Sequence, residues 1–224
     1  MEVAESCKEK NMLVHNKVRH LNLMSTHNDS FPVSIYNCKG LRTLIISTKK
    51  LPPLPSDSFS KLKSIRTLKL NKNSIKEVPE SIGGLVHLQY LDLSQNWELK
   101  ELPNSVGKLF NLETLRLIEC FKLRELPVSL RKLVNLKHLY ISGCTNLKVP
   151  KEIGRLRNLQ ILDFLYVQDG GEDDEGLFKL GDLGKLEQLQ DGSEAKNAEL
   201  VNKKKLLDLT LRFGENFVLD PRES

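Results

Sequence analysis

The sequence predicts an α/β solenoid, curved like a horseshoe, with a parallel sheet on its concave face and short helices or turns on its convex face. Three observations predict it. A leucine-led motif returns every 23 or 24 residues, with starts at Val18, Leu41, Ile65, Leu88, Leu112, Leu136 and Leu159. Within each copy the apolar spacing alternates over LxL and then steps by three, so strand, turn and helix follow one another inside one period. A single copy cannot bury its own leucines, so neighbouring copies must stack to cover them.

The elements follow in order along the copy "LQYLDLSQNWELKELPNSVGKLFN", which starts at Leu88. Its LxL forms a short strand whose leucines point inward, and strands of successive coils stack in parallel at roughly 4.8 Å. The turn after the strand carries Asn73 or Asn96 in two coils and Cys120 or Cys144 in the next two. A buried Asn there can bond the loop backbone as donor and acceptor, whereas Cys is expected to offer little more than volume. Leu102 and Leu126 fill the core from the far side. Pro79, Pro103, Pro127 and Pro150 suit the first turn of a helix, which needs no N–H there. Ser81, Ser105 and Ser129 are then expected on the outer surface, and Ile82 with Leu85, Val106 with Leu109, and Leu130 with Leu133 on the inner face. The template LxxLxLxx(N/C)xxLxxLPxxIGxLxN matches the leucine-rich repeat, whose period is about 20–29 residues.

The pattern breaks once. "QDGGEDDEG" reads as an exposed loop, "DGSEAKNAELVNKKK" looks helical, and "LLDLTLRF" restores a strand signature at Leu206, Leu209 and Leu211. Leu159 to Leu206 is about two repeat lengths without a good LxL between, so one coil is irregular or lacks its strand. The expected organisation is a lead-in (1–17), seven repeats (18–166), an irregular loop with a helical segment (167–205), and a terminal strand and tail (206–224). Neither end carries an obvious polar capping unit, which solenoids usually need, so the chain is expected to be part of something larger.

Composition excludes several classes. The chain is 39% hydrophobic but only 6% aromatic, and its net charge of +5 is mixed along the chain rather than gathered in one basic stripe, which argues against a nucleic-acid binder. No secretory signal and no run of the ~20 apolar residues a membrane helix needs is visible. Cys7, Cys38, Cys120 and Cys144 form no CxxC pair. A reducing, cytoplasmic setting is therefore expected, with Cys120 and Cys144 stacked as thiols rather than joined as a disulfide. GxxxxGK[ST], HExxH and GxSxG are all absent, the five histidines show no metal spacing, and the run Glu172–Glu175 lacks a calcium loop's spacing. The expectation is no enzyme, no cofactor and no metal, which leaves surface.

On the concave side, one outward column holds Thr43, Thr67, Tyr90, Thr114, His138 and Ile161. The next holds Ile45, Lys69, Asp92, Arg116, Tyr140 and Asp163, and a third holds Ser47, Asn71, Ser94, Ile118, Ser142 and Leu165. Tyr90, Asp92, Arg116, Ile118, Tyr140, Asp163 and Tyr166 are the candidate partner-binding residues, because Tyr and Arg are favoured interface anchors. The alternative is an inert ladder, Lys69–Asp92–Arg116, worth about 0–1 kcal/mol per exposed pair. Trp97 is expected to pack on Phe121 of the next coil.

The stretches "KVRHLNL", "CKGLRTLIIS", "ELPNSVGKLFNL" and "LGDLGKLEQLQ", with the late run at Ala195, Ala198, Leu200 and Lys203, carry a further likeness. The chain resembles the repeat region of plant intracellular disease-resistance proteins of the coiled-coil, nucleotide-binding, leucine-rich-repeat class. The resemblance implies a protein-binding module that recognises a pathogen effector or an altered host protein and restrains a nucleotide-binding module in cis or in trans. It implies no nucleic-acid partner and no integral membrane contact. Two features depart from that class: no nucleotide-binding module is present in the sequence, and a G-x-L-x-I strand expected near Gln190–Asp191 is missing. The alternative is a free-standing leucine-rich-repeat signalling scaffold or adaptor.

Overall fold

Strands are short because each coil alternates for only one LxL before its turn. In the computed structural model, which describes residues 18–25, 33–48, 51, 53–167, 177–178 and 210–213, seven strands lie side by side in chain order. They are β1 (His20–Ser25), β2 (Thr43–Thr48), β3 (Thr67–Lys69), β4 (Tyr90–Asp92), β5 (Thr114–Arg116), β6 (His138–Tyr140) and β7 (Ile161–Leu162). Every neighbouring pair is parallel. Each strand opens two residues after a repeat start. The central leucines Leu44, Leu68, Leu91, Leu115, Leu139 and Leu162 are in register and all 0% exposed. Such burial contributes roughly 1.5–3 kcal/mol per side chain, and only because the next coil covers it.

The turn after each strand is tighter than the LxL pattern announces. Lys72, Gln95 and Glu119 take φ of 61°, 59° and 57°, and Gly143 takes 82°. Each precedes the Asn or Cys of its coil. Asn96 donates from its amide to the Leu70 and Leu93 carbonyls, at 2.9 and 2.7 Å, and its oxygen accepts from the Asn73 and Ile75 N–H groups. The cysteines do more than fill volume. The Cys120 thiol donates to the Leu93 carbonyl at 3.3 Å, and the Cys144 thiol to the Leu117 carbonyl at 3.0 Å. The sulfur thus takes over the contact that Asn96 makes to the preceding coil. Cys38, Cys120 and Cys144 are buried and free.

On the convex side five coils carry a five-residue 3-10 helix, Val33–Asn37, Glu80–Gly84, Asn104–Lys108, Val128–Lys132 and Lys151–Arg155, and the coil from Leu41 carries a turn there; a proline is described before the last four helices. Five residues are too few to repay α-helix nucleation, and i→i+3 bonding suits so short a piece. The prolines stand one position earlier than expected, as the extended residue before the helix, with φ between −66° and −70°. Their carbonyls accept the Ile82, Val106, Leu130 and Ile153 N–H groups at 2.9–3.1 Å.

The serines also differ from expectation. Ser105 is buried, and the Ser105 and Ser129 hydroxyls are enclosed without a hydrogen-bond partner among the described residues. The cause is the neighbouring coil. A Cβ placed on Gly83 would stand 2.7 Å from the Ser105 Cβ and carbonyl oxygen, and one on Gly107 would stand 2.5 Å from the Ser129 carbonyl oxygen. Small residues on both sides let successive convex backbones touch.

The seven-stranded sheet ends at Leu162, one residue before Asp163. Beyond it the chain forms β8 (Phe164–Val167), which leaves the seven-stranded sheet and pairs in parallel with β9 (Thr210–Phe213). Phe164 stands opposite Thr210, and among the described residues no strand lies between the two. Of the segment expected to be irregular, Val167, which ends β8, and Leu177 and Phe178 are described. Phe178 is buried and donates its N–H to the Val149 carbonyl at 2.7 Å. The loop Glu172–Glu175, the helical stretch and residues 1–17 lie outside the described residues.

A candidate protein-binding face

The strand register that buries the leucines sets the outward residues in rows. Tyr90 stands opposite Thr114, which stands opposite His138; Asp92 stands opposite Arg116, which stands opposite Tyr140. Three coils thus bring two tyrosines, an arginine and a histidine together on the concave face.

Arg116 is the centre of the group. Its guanidinium carbon lies 4.4 Å from the centroid of the Tyr140 ring, within the range of a cation–π contact. Its Nε lies 4.0 Å from the Asp92 carboxylate. Tyr140 is in turn 6.4 Å from the His138 ring, tilted by 40°. At the other end Lys69 holds its ammonium 5.3 Å over the Tyr90 ring. Burial and then the Asp92 charge push the Tyr90 hydroxyl's pKa up. Burial, with Lys137 next to it, pushes the His138 pKa down. His138 Nδ1 shares a 3.0 Å hydrogen bond with the Thr114 hydroxyl, repeating the one between His20 and Thr43.

The candidates divide by exposure. Tyr90, Arg116, Ile118 and Tyr140 are partly exposed. Asp92 is not the outward-facing group its column implied: it is 8% exposed, and its carboxylate accepts the Ser94 N–H at 3.0 Å. Asp163 is half-buried, with its carboxylate engaged by the Ile141 and Ser142 N–H groups. Burial raises its pKa, against those bonds and the Arg116 charge. A column position tells which way a side chain starts, not whether a vacant N–H draws it back to the backbone. The backbone of Tyr166 lies in β8 opposite Arg212, and its side chain lies outside the described residues.

His138 and Lys69 are the two members of this face that the candidate list omits. Both stood in the right columns, but only the ring contacts join them to the tyrosines. Trp97 does approach Phe121, with centroids 6.4 Å apart and planes tilted by 34°. Both rings remain exposed. Among the described residues no group of three or more His, Cys, Asp or Glu could hold a metal ion, and no helix is long and apolar enough to cross a membrane.

Comparison with known proteins matches this geometry to one family. The family described as leucine-rich repeat region matches residues 58–211, more than half of the chain. Among solved structures, a leucine-rich-repeat protein of Leptospira interrogans is 24% identical with a TM-score of 0.55, over 78% of this chain and 48% of that one. Internalin C2 of Listeria monocytogenes is 21% identical with a TM-score of 0.55, over 88% of this chain and 72% of its own. The Arabidopsis receptor kinase HAESA, solved with the peptide hormone IDA and the co-receptor SERK1, is 21% identical with a TM-score of 0.56. That match covers 77% of this chain and 28% of the kinase. The chain therefore spans about half the length of the Leptospira protein and under a third of HAESA.

Proposed function

Since the chain belongs to the leucine-rich-repeat region family, whose fold is generally a protein-binding scaffold, we propose that it is the recognition module of a cytoplasmic plant immune receptor. In this reading its concave face binds a pathogen effector or an altered host protein, and the module restrains a nucleotide-binding partner module. The observation that carries the binding role is the Tyr90–Arg116–Tyr140 group. Two rings and a guanidinium, partly exposed, are held in place by a rigid strand register. Tyr and Arg lose little freedom on binding when they are already positioned, and they dominate interface energetics. Ile118 adds an apolar margin, and Asp92 and Asp163 set the charge around Arg116. The plant-receptor assignment rests on the sequence likeness from "KVRHLNL" to "LLDLTLRF".

The test has two arms. The transcript that carries this frame is sequenced on its 5′ side; continuation into a GxxxxGK[ST] loop supports the receptor reading, and a different upstream domain overturns it. Separately, a nucleotide-binding module of that class is titrated onto the full chain by calorimetry. Tyr140→Ala is expected to weaken binding by roughly tenfold or more, with an unchanged melt. Equal affinity for wild type and Tyr140→Ala would move the contact off the concave face.

A further inference from the structure

Each coil leaves its short helix through a return turn before it re-enters the sheet. The five equivalent turns span residues 60–64, 83–87, 107–111, 131–135 and 154–158. Together they hold seven cations and no carboxylate. Lys61 and Lys63 lie at one end of this edge, and Arg155 and Arg157 at the other. Lys108, Arg131 and Lys132 lie between. All seven are exposed, and among the described residues none takes part in an ion pair.

The centre of the same edge is apolar. Val86, Phe110 and Val134 occupy one equivalent position on three successive coils, and they are 45%, 52% and 55% exposed. Their carbonyls are bonded by the next coil. The Asn111 amide donates to the Val86 carbonyl at 2.7 Å, Asn135 to Phe110 at 2.8 Å and Asn158 to Val134 at 2.7 Å. These bonds tie the backbones of adjacent coils, so the stripe steps once per coil, at no less than the roughly 4.8 Å spacing of the strands inside it. One turn of an α-helix rises about 5.4 Å. Apolar residues at i, i+4 and i+7 of a helix laid along the stripe would meet Val86, Phe110 and Val134 in order.

We propose that this edge docks an acidic amphipathic helix of a partner protein, on a surface separate from the concave face. The apolar stripe takes the helix's apolar side. The surrounding Lys and Arg residues, which make no ion pair among the described residues, pair with Asp and Glu on its flanks. The proposal does not depend on the receptor reading above.

The probe is a synthetic peptide of about five helical turns, with leucines at i, i+4, i+7 and i+11 and glutamates on the flanks. Its control replaces every glutamate with lysine. Fluorescence anisotropy with the full chain is expected to show binding of the acidic peptide, weakening as salt is raised, and none of the lysine peptide. Phe110→Asp, an exposed change, should weaken binding by roughly tenfold or more, and Lys132→Glu severalfold, with circular dichroism unchanged. Tyr140→Ala should leave it unaltered, which separates this edge from the concave face. Equal binding of both peptides, or an affinity indifferent to Phe110→Asp, would overturn the proposal. So would binding to phosphatidylserine vesicles or duplex DNA through these cations with no binding of the acidic peptide.

Discussion

Ile141 donates its N–H to the Asp163 carboxylate at 2.6 Å, at a ladder position where earlier coils use a main-chain carbonyl. Leu70 donates to the Asp92 carbonyl, Leu93 to that of Arg116 and Leu117 to that of Tyr140, all at 2.8–2.9 Å. A side chain thus closes the ladder at the strand from which β8 departs to meet β9. Asp163→Ala should leave the Ile141 N–H unpaired and cost about 1–3 kcal/mol, while Asp163→Asn keeps an acceptor and should cost less. Burial raises the Asp163 pKa from the usual 3.8, so the native state holds its proton more tightly than the unfolded chain. That contribution is fully present below pH 3.8 and is lost as pH rises through the raised value. Urea titrations across this window should show Asp163→Asn removing that slope; an identical slope in both proteins would contradict the account.

The fully buried strand leucines should behave as one class. Leu115→Ala and Leu139→Ala each remove a side chain that is 0% exposed and are expected to cost about 2–5 kcal/mol. Lys108→Ala, on the surface, should stay within about 0.5 kcal/mol. Thermal or urea melts of the three variants check the order.

Gly107 and Gly84 make a sharper pair. A methyl at Gly107 would meet the Ser129 carbonyl oxygen at 2.5 Å, whereas one at Gly84 meets nothing within 4 Å. Gly107→Ala must push two convex backbones apart, at about 1–3 kcal/mol. Gly84→Ala should be neutral or stabilising by up to about 1 kcal/mol. Similar melting temperatures for the two variants would mean that the coils are not in contact at Ser129.

Cys120 and Cys144 should resist thiol reagents until the chain unfolds. Burial pushes both thiols up from 9.0 to about 12, so neither forms the reactive thiolate near neutral pH. In a Cys7→Ser background, where Cys38, Cys120 and Cys144 are the remaining cysteines and all are buried, the native protein is expected not to react with a disulfide reagent at pH 8, and to react once denatured. The raised values also set a pH limit. The thiols' contribution is fully present below pH 9 and declines as pH climbs toward 12, by roughly 1 kcal/mol per pH unit for each group. Cys120→Ser, which keeps a donor for the Leu93 carbonyl, should flatten half of that decline.

The repeat made much of this legible in advance. Seven starts located seven strands, and the LxL rule named their buried leucines, because apolar periodicity records which way a side chain leaves the backbone. What one coil does to the next was not legible. Ser105 and Ser129 looked like surface residues until the glycines of the preceding coil closed over them. Cys120 and Cys144 looked like filler until the Leu93 and Leu117 carbonyls came within reach of their thiols.

The sequence by itself determined the architecture, the register of the rows and the residue types on each face. These follow from local spacing repeated often enough to cancel ambiguity. Only the tertiary structure decided that Arg116 joins Tyr140 and Asp92, that Asp163 turns inward to close the ladder, and that Val86, Phe110 and Val134 form an exposed stripe beside exposed cations. Each of these is a contact between coils about 24 residues apart, and its energy depends on distances that no single period encodes.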